Sequence, residues 1–314
     1  NHYNYAPTVT AAGHASVYTG TVPAVHGIVG NEWMDRATGK RVYCTDDSTV
    51  TTVGTTGKTG FMSPKNLWTS TITDQLKISQ NYQSKTIAIA LKDRGAILPG
   101  GHTADAAYWY DSKEGRWITS SFYMKELPAW VQKFNQEGRP QKYLNQGWNT
   151  LYPISTYTRS AEDNSPYEGK IGNEKTPTFP HELKGDNMLE VFRKTPYGNN
   201  LIKDFALKAL EEEKLGKNGT TDFLALSFSS TDYVGHAFRP QSIEVEDTYL
   251  RLDQDIAEIL TYLDTKIGKN QYLVFLTADH AGVPTPSYHS TFNASAGYWK
   301  SDRLEEKVNE FLTT

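Results

Sequence analysis

With 314 residues and a formal net charge of −4, the chain can bury one large core or two ordinary ones, and it lacks the basic excess that nucleic acid or an anionic membrane surface requires. No apolar run is long enough to span a bilayer. A single cysteine, Cys44, excludes an internal disulfide and a cysteine-based zinc cluster, and reads as an inert packing residue.

In chain order, Asn1, His2 and Tyr3 come first, with neither an initiator Met nor a signal peptide, as expected of a processed or trimmed product. Thr10 precedes small residues and His14, then Val17 and Tyr18, which predicts a short helix. Thr10 is then either its N-cap or a nucleophile set at a positive dipole end that favours phosphate. A second helix is expected from near Ser63 and Pro64, with Leu67, Ile72 and Leu76 on one side. The apolar, β-branched run 85–91 reads as a buried strand. Between about 100 and 196 periodicity fades into Tyr, Trp, Gly, Pro, Asn and Ser, as in Tyr108-Trp109-Tyr110, and this stretch reads as an inserted cap.

The strand pattern then resumes. A helix over 200–215 turns Leu201, Phe205 and Leu210 inward and a Glu211-Glu212-Glu213 cluster to solvent. Run 223–228 is a second buried strand. Val245, Tyr249, Leu252, Ile256, Ile259, Leu260, Leu263 and Ile267 mark one face of a long helix, with Gly268 at its C′ position. Run 272–277 is a third buried strand. The alternation predicts an α/β fold, a doubly wound and mostly parallel sheet, as one domain over 1–314 with the cap at 100–196. The 7 Trp and 19 Tyr suit a carbohydrate- or ester-lined cleft, although core packing accounts for most of them.

Two acidic–histidine pairs stand at the ends of the last two apolar runs. Asp232 and His236 are four apart, close on a helical turn, and Asp279 and His280 are adjacent, pointing to opposite sides of a strand end. Carboxylate and imidazole suit zinc, and the carboxyl ends of strands are where open α/β sheets collect ligands. Each pair alone is weak; both, in order, with a hydroxyl upstream, suggest a two-metal centre.

Five segments carry a resemblance: Pro7-Thr8-Val9-Thr10-Ala11-Ala12-Gly13-His14, His26-Gly27-Ile28-Val29-Gly30-Asn31, Lys92-Asp93-Arg94, Thr231-Asp232-Tyr233-Val234-Gly235-His236 and Thr277-Ala278-Asp279-His280. Together the chain resembles the alkaline phosphatase superfamily, in its nucleotide pyrophosphatase/phosphodiesterase-like branch. It is most similar there to bacterial periplasmic, phosphate-irrepressible alkaline phosphatases with a threonine nucleophile. The resemblance implies phosphate monoester hydrolysis through a phosphothreonine at Thr10, which also bridges two zinc ions. Asn31 would donate to a phosphoryl oxygen, and Lys92 and Arg94 would contact the transferred group. Asp232 and His236 would ligate one zinc, Asp279 and His280 the other. A periplasmic or secreted location, small phosphate monoesters as substrates and a monomeric state are the matching expectations.

Members of that branch also carry a metal-binding Asp upstream of the nucleophile and a zinc-binding His well downstream. No acidic residue precedes Thr10 here, and the one later histidine, His289, comes too early to match. Each zinc is therefore expected to keep two protein ligands besides Thr10, and the chain by itself to bind zinc poorly and be nearly inactive. Thr10 cannot become the formylglycine of a sulfatase. Lys92 and Arg94 favour a dianionic monoester over a diester, leaving a diesterase or a metal-free binding module as the alternatives. His14, His26 and His102 read as structural or supporting hydrogen-bonding residues, whereas His2 and His181 carry no signal.

Overall fold

The computed structural model describes residues 3–290, 292–298 and 301–313. Helices α1 (Thr10–Thr19) and α2 (Pro23–His26) lead into a hairpin of β1 (Glu32–Asp35) and β2 (Lys40–Tyr43). Then come β3 (Thr52–Val53), α3 (Ile72–Ser79), β4 (Thr86–Ala90), α4 (Asp93–Gly100) and a second hairpin of β5 (Ala106–Asp111) and β6 (Arg116–Ser120). Short helices α5 (Ala129–Gln136), α6 (Arg139–Leu144) and α7 (Met188–Val191) precede α8 (Tyr197–Glu212), β7 (Phe223–Ser227), α9 (Ser230–Phe238) and α10 (Ile243–Leu263). Helices α11 (Pro286–Ser290) and α12 (Ser301–Thr313) complete the order. Among the described residues no helix is long and apolar enough to cross a membrane.

The central sheet runs β3-β6-β5-β4-β7, with β4 parallel to both β5 and β7, and with β6 and β3 added antiparallel at one edge. The α/β expectation holds, and the sequence of β4 explains why. Its side chains alternate across the pleat. Ile87 and Ile89 join Tyr108, Tyr110 and the α8 residues Leu201, Ile202 and Phe205 in one core. Ala88 and Ala90 face the other way, with Ala107, Trp109, Ala225 and the helical residues Tyr18, Ala96 and Ile97. Large side chains fill the α8 face, and small ones let α4 pack close on the opposite face. Phe205, fully buried, stacks on Trp117 at 4.5 Å between ring centroids and meets Trp130, Phe134 and Tyr108 within 5.2 Å. Much of the aromatic surplus is therefore core, each such side chain contributing roughly 1.5–3 kcal/mol by burial.

Four local readings change. The expected helix at Ser63 and Pro64 starts instead at Ile72, because Thr71 and Asp74 form a reciprocal capping box there. Its inward face is Thr73, Asp74 and Lys77, while Ile72 is exposed. Residues 272–278 form no strand of the sheet, and Leu273 and Leu276 are 90% and 79% exposed. Apolarity marks a segment as fit for burial but supplies no ladder partner; Phe275 packs edge-on against the ring of Phe223. Glu213 is not a solvated residue, since it accepts from Trp130 Nε1 at 2.9 Å and Lys85 Nζ at 3.1 Å. Within 100–196, β5 and β6 belong to the sheet, and the looped, short-helical texture begins after Ser120.

Candidate active site

Both parallel strands flanking the site end in a helix start. β4 runs through Leu91 into Lys92, the N-cap of α4, and β7 runs into α9, so Lys92, Arg94, Asp232 and His236 share the carboxyl edge of the sheet. Asn199 of α8 fixes α9 by accepting from Ser230 N at 3.1 Å and donating to Thr231 Oγ1 at 3.1 Å. Thr10 is the first residue of α1, following an extended Val9 that has no side-chain cap, so Thr10 is not the N-cap. Asn31 Oδ1 accepts from the Ala11 N–H at 2.9 Å, which leaves the Asn31 NH2 group beside that helix start as a donor.

The Thr10 hydroxyl is buried between two groups of opposite function. His280 Nε2 lies 3.3 Å from Oγ1, and Lys92 Nζ donates to Oγ1 at 3.4 Å. His280 Nδ1 lies 3.1 Å from the Ala281 carbonyl oxygen, which can only accept, so Nδ1 donates there and Nε2 is the nitrogen turned to Thr10. Lys92 also pairs with Asp232. Burial lowers the Lys92 pKa, and Asp232 partly opposes that. For Asp232, burial favours the neutral acid, but the hydrogen bond from His236 and the Lys92 charge outweigh it and hold the carboxyl well below its usual range.

Asp232 lies 3.4 Å from His236 and 3.7 Å from His280, and Asp279 lies 3.4 Å from His280. His14 supports this group from α1, with Nε2 3.7 Å from Asp279 and 3.3 Å from Ser227 Oγ. Burial lowers the His14 pKa to about 4, so it serves as a neutral ring. Gly13 is required here: a Cβ at that position would lie 2.1 Å from the Asp279 carbonyl oxygen. The donor types suit a divalent cation, and the Nδ1 bond of His280 is the kind that orients a ligating imidazole. Even so, among the described residues no three His, Cys, Asp or Glu side chains form a group able to hold a metal.

Arg94 donates through Nη1 to the Tyr43 hydroxyl at 2.8 Å, Tyr43 donates to Asp93 at 2.9 Å, and Thr45 donates to the same carboxylate at 2.6 Å. Among the described residues, Arg94 Nε is buried with no hydrogen-bond partner. The structure thus gathers Thr10, Lys92, Asp232, His236, Asp279 and His280 through direct contacts, with Asn31 at the start of α1 and Arg94 two residues beyond Lys92. Sequence reasoning missed Tyr43, Thr45, Tyr233 and Arg193. Tyr233 lies inside one of the five motif segments, but Tyr43 and Arg193 meet their partners across 51 and 40 residues, with no local pattern to mark them. His26 and His102 are structural, bonded to Ser16 and to Asp74, and His289 packs on Tyr288.

The sequence model of the family described as type I phosphodiesterase / nucleotide pyrophosphatase matches residues 1–300. A protein of Myroides odoratus named calcium-transporting ATPase is 53% identical over 99% of this chain and 58% of its own length. Alkaline phosphatase PhoV of Synechococcus elongatus is 53% identical over 90% of this chain and 52% of its own. The crystal structure of alkaline phosphatase PafA superposes with a TM-score of 0.93 at 46% identity, covering 99% of this chain and 60% of that one. A PafA variant with one threonine, one asparagine, one lysine and one arginine substituted superposes with a TM-score of 0.95. The chain spans little more than half the length of the relatives it matches.

Proposed function

Because the chain belongs to the type I phosphodiesterase/nucleotide pyrophosphatase family, we propose that it forms the catalytic core of an alkaline phosphatase, a phosphate monoester hydrolase working through a phosphothreonine at Thr10. The observation that carries this reading is the Thr10 hydroxyl, seated at a helix start with His280 Nε2 and the Lys92 ammonium both against its oxygen. The Thr10 hydroxyl proton passes to solvent water as Oγ1 bonds to phosphorus, and Lys92 steadies the charge developing on oxygen. The bond to the leaving alcohol breaks in line with this attack, and a second attack by water on the phosphothreonine releases phosphate. The Asn31 amide, the Arg94 guanidinium and Lys92 hold the phosphoryl oxygens. Two cations on one transferred group match a dianionic monoester better than a monoanionic diester. Support comes also from the PafA variant, whose four substituted residues are a threonine, an asparagine, a lysine and an arginine, the types of Thr10, Asn31, Lys92 and Arg94.

Two metal ions, zinc by donor type, are part of this proposal. Asp232 with His236 would hold one and Asp279 with His280 the other, with Thr10 shared, and when bound they lower the pKa of the Thr10 hydroxyl and neutralise phosphoryl charge. With two side chains of the His/Asp type per ion, the 314-residue chain binds zinc weakly, which elemental analysis after dialysis measures. Residues 100–196, beyond the two strands they give to the sheet, are the proposed cap. A periplasmic or secreted, monomeric protein acting on small phosphate monoesters completes the reading. The terminal phosphoryl group of ATP, to which the name of the Myroides odoratus relative points, is a dianionic target of the same kind.

Replacing both Lys92 and Arg94 with Ala tests the substrate class. Monoesterase kcat/KM is expected to fall at least about a hundredfold further than diesterase kcat/KM; equal losses would favour a diesterase. Thr10→Ala should abolish turnover and the phosphoryl adduct seen by mass spectrometry after acid quench. A metal-free protein with no turnover of either ester would indicate a binding module.

A further inference from the structure

Among the described residues, Tyr233 is the one aromatic ring that carries two cations. Lys92 Nζ stands 4.8 Å and the Arg193 guanidinium 4.7 Å from its centroid. Lys92 belongs to the phosphoryl cradle, whereas Arg193 arrives from the turn after α7, on the looped region that follows the sheet. Arg193 Nη1 donates to the Tyr233 hydroxyl oxygen at 2.9 Å, and its other end pairs with Glu190, to which Ser112 donates. A line of four side chains therefore runs from the β5–β6 hairpin to the edge of the site: Ser112, Glu190, Arg193, Tyr233.

Two features of this line go beyond packing. Glu190 already balances the Arg193 charge, so Arg193 is not a free cation for an anionic substrate. The Tyr233 oxygen accepts from Arg193, yet its own proton has no acceptor among the described residues. A phenylalanine would fill the same volume and keep the ring under Lys92. A half-buried phenol held by a guanidinium, with a donor left over on a ring that Lys92 Nζ approaches to 4.8 Å and one residue from Asp232, is arranged to give that donor to something else. The neighbouring cations indicate an oxygen-rich anion.

We propose that Tyr233 is a further substrate-contacting residue of the phosphoryl cradle, donating its O–H to an oxygen of the bound phosphate ester, and that Arg193 is the positioning residue that aims it. This rests on the phosphatase reading of the site and adds a fourth donor to Asn31, Lys92 and Arg94. Arg193 touches no reacting atom and acts only through the phenol.

A double-mutant cycle in the full-length protein tests it. Tyr233→Phe should lower kcat/KM for an aryl phosphate monoester about tenfold, as loss of one hydrogen bond to a charged group does, and weaken inhibition by inorganic phosphate to a similar degree. Its melting temperature should stay within a few degrees. Arg193→Ala should reproduce these losses in the wild-type background and add none in the Tyr233→Phe background, and Arg193→Lys should recover part of them. Wild-type kcat/KM in Tyr233→Phe, or losses that multiply in the double variant, would overturn the assignment. Should Arg193→Ala fail to fold, Tyr233→Phe with its phosphate inhibition decides alone. Should the wild-type protein cleave a diester but not a monoester, the monoesterase reading falls while the same cycle, run on the diester, still tests Tyr233. Should it cleave neither, calorimetric binding of inorganic phosphate to wild type and Tyr233→Phe decides: weaker binding by the variant supports the contact, and equal affinity overturns it.

Discussion

Arg94 reaches the site with Nη1 held by Tyr43, whose hydroxyl donates in turn to Asp93. Burial, and then the Asp93 charge, push the Tyr43 phenol well above its ordinary range, so it remains a neutral acceptor for Arg94 across the working pH. Tyr43→Phe keeps the ring and removes that acceptor. The guanidinium then loses one fixed direction, and monoesterase kcat/KM should fall about five- to tenfold, with little change in melting temperature. Steady-state kinetics on a monoester and a diester check this, the diester being the less affected. No drop in either would mean that Arg94 is held by its backbone and neighbours alone.

Elements place these residues by packing. The alanines of β4 let α4 settle against the sheet, which sets Lys92 and Arg94 at its edge, and α1 approaches α4 with Thr10 at its tip. Residues 272–280 reach the site without belonging to the sheet, and Gly13 is where α1 admits them. Gly13→Ala puts a Cβ against the Asp279 carbonyl oxygen, a backbone atom with no rotamer to change. The Asp279 and His280 pair should be displaced from Thr10, lowering kcat about a hundredfold, the scale expected of a misplacement near 1 Å. Circular dichroism should remain that of the wild type, because the main core lies elsewhere. A Gly13→Ala variant of normal activity would show that this segment moves without consequence.

At the scale of the whole molecule, a buried ion cluster ties the looped region to α10. His181 lies 3.0 Å from Glu174 and 3.1 Å from Glu244, beneath Trp148, which donates to Asp247 of α10. Burial alone would depress the imidazole, but its hydrogen bonds to both carboxylates push its pKa to about 9. Burial beside Glu244 raises the Glu168 pKa to about 8. The folded state thus holds both protons more tightly than the unfolded chain. The His181 contribution is full below about pH 6.5, its unfolded value, and fades as pH rises through about 9. The Glu168 contribution fades in the same direction, through about 8. Melting temperature should fall between about pH 5 and 9, and His181→Gln should lower it at neutral pH while flattening the upper part of that fall. Calorimetry across this range checks both, and a flat profile would refute the coupling.

Much was legible in the chain because it depends on neighbours in sequence. Alternation in 85–91, the helical period around 245–263 and the order of the five motifs follow from local backbone geometry and side-chain type. They implied the α/β core and named Thr10, Asn31, Lys92, Arg94 and the two acidic–histidine pairs. Tertiary structure decided the start of α3, the absence of a strand at 272–278, the place of β5 and β6 in the sheet and the second partners of His181, Arg94 and Tyr233. Each of these depends on a group far away along the chain, and a sequence records residue types but not the distances that folding sets between them.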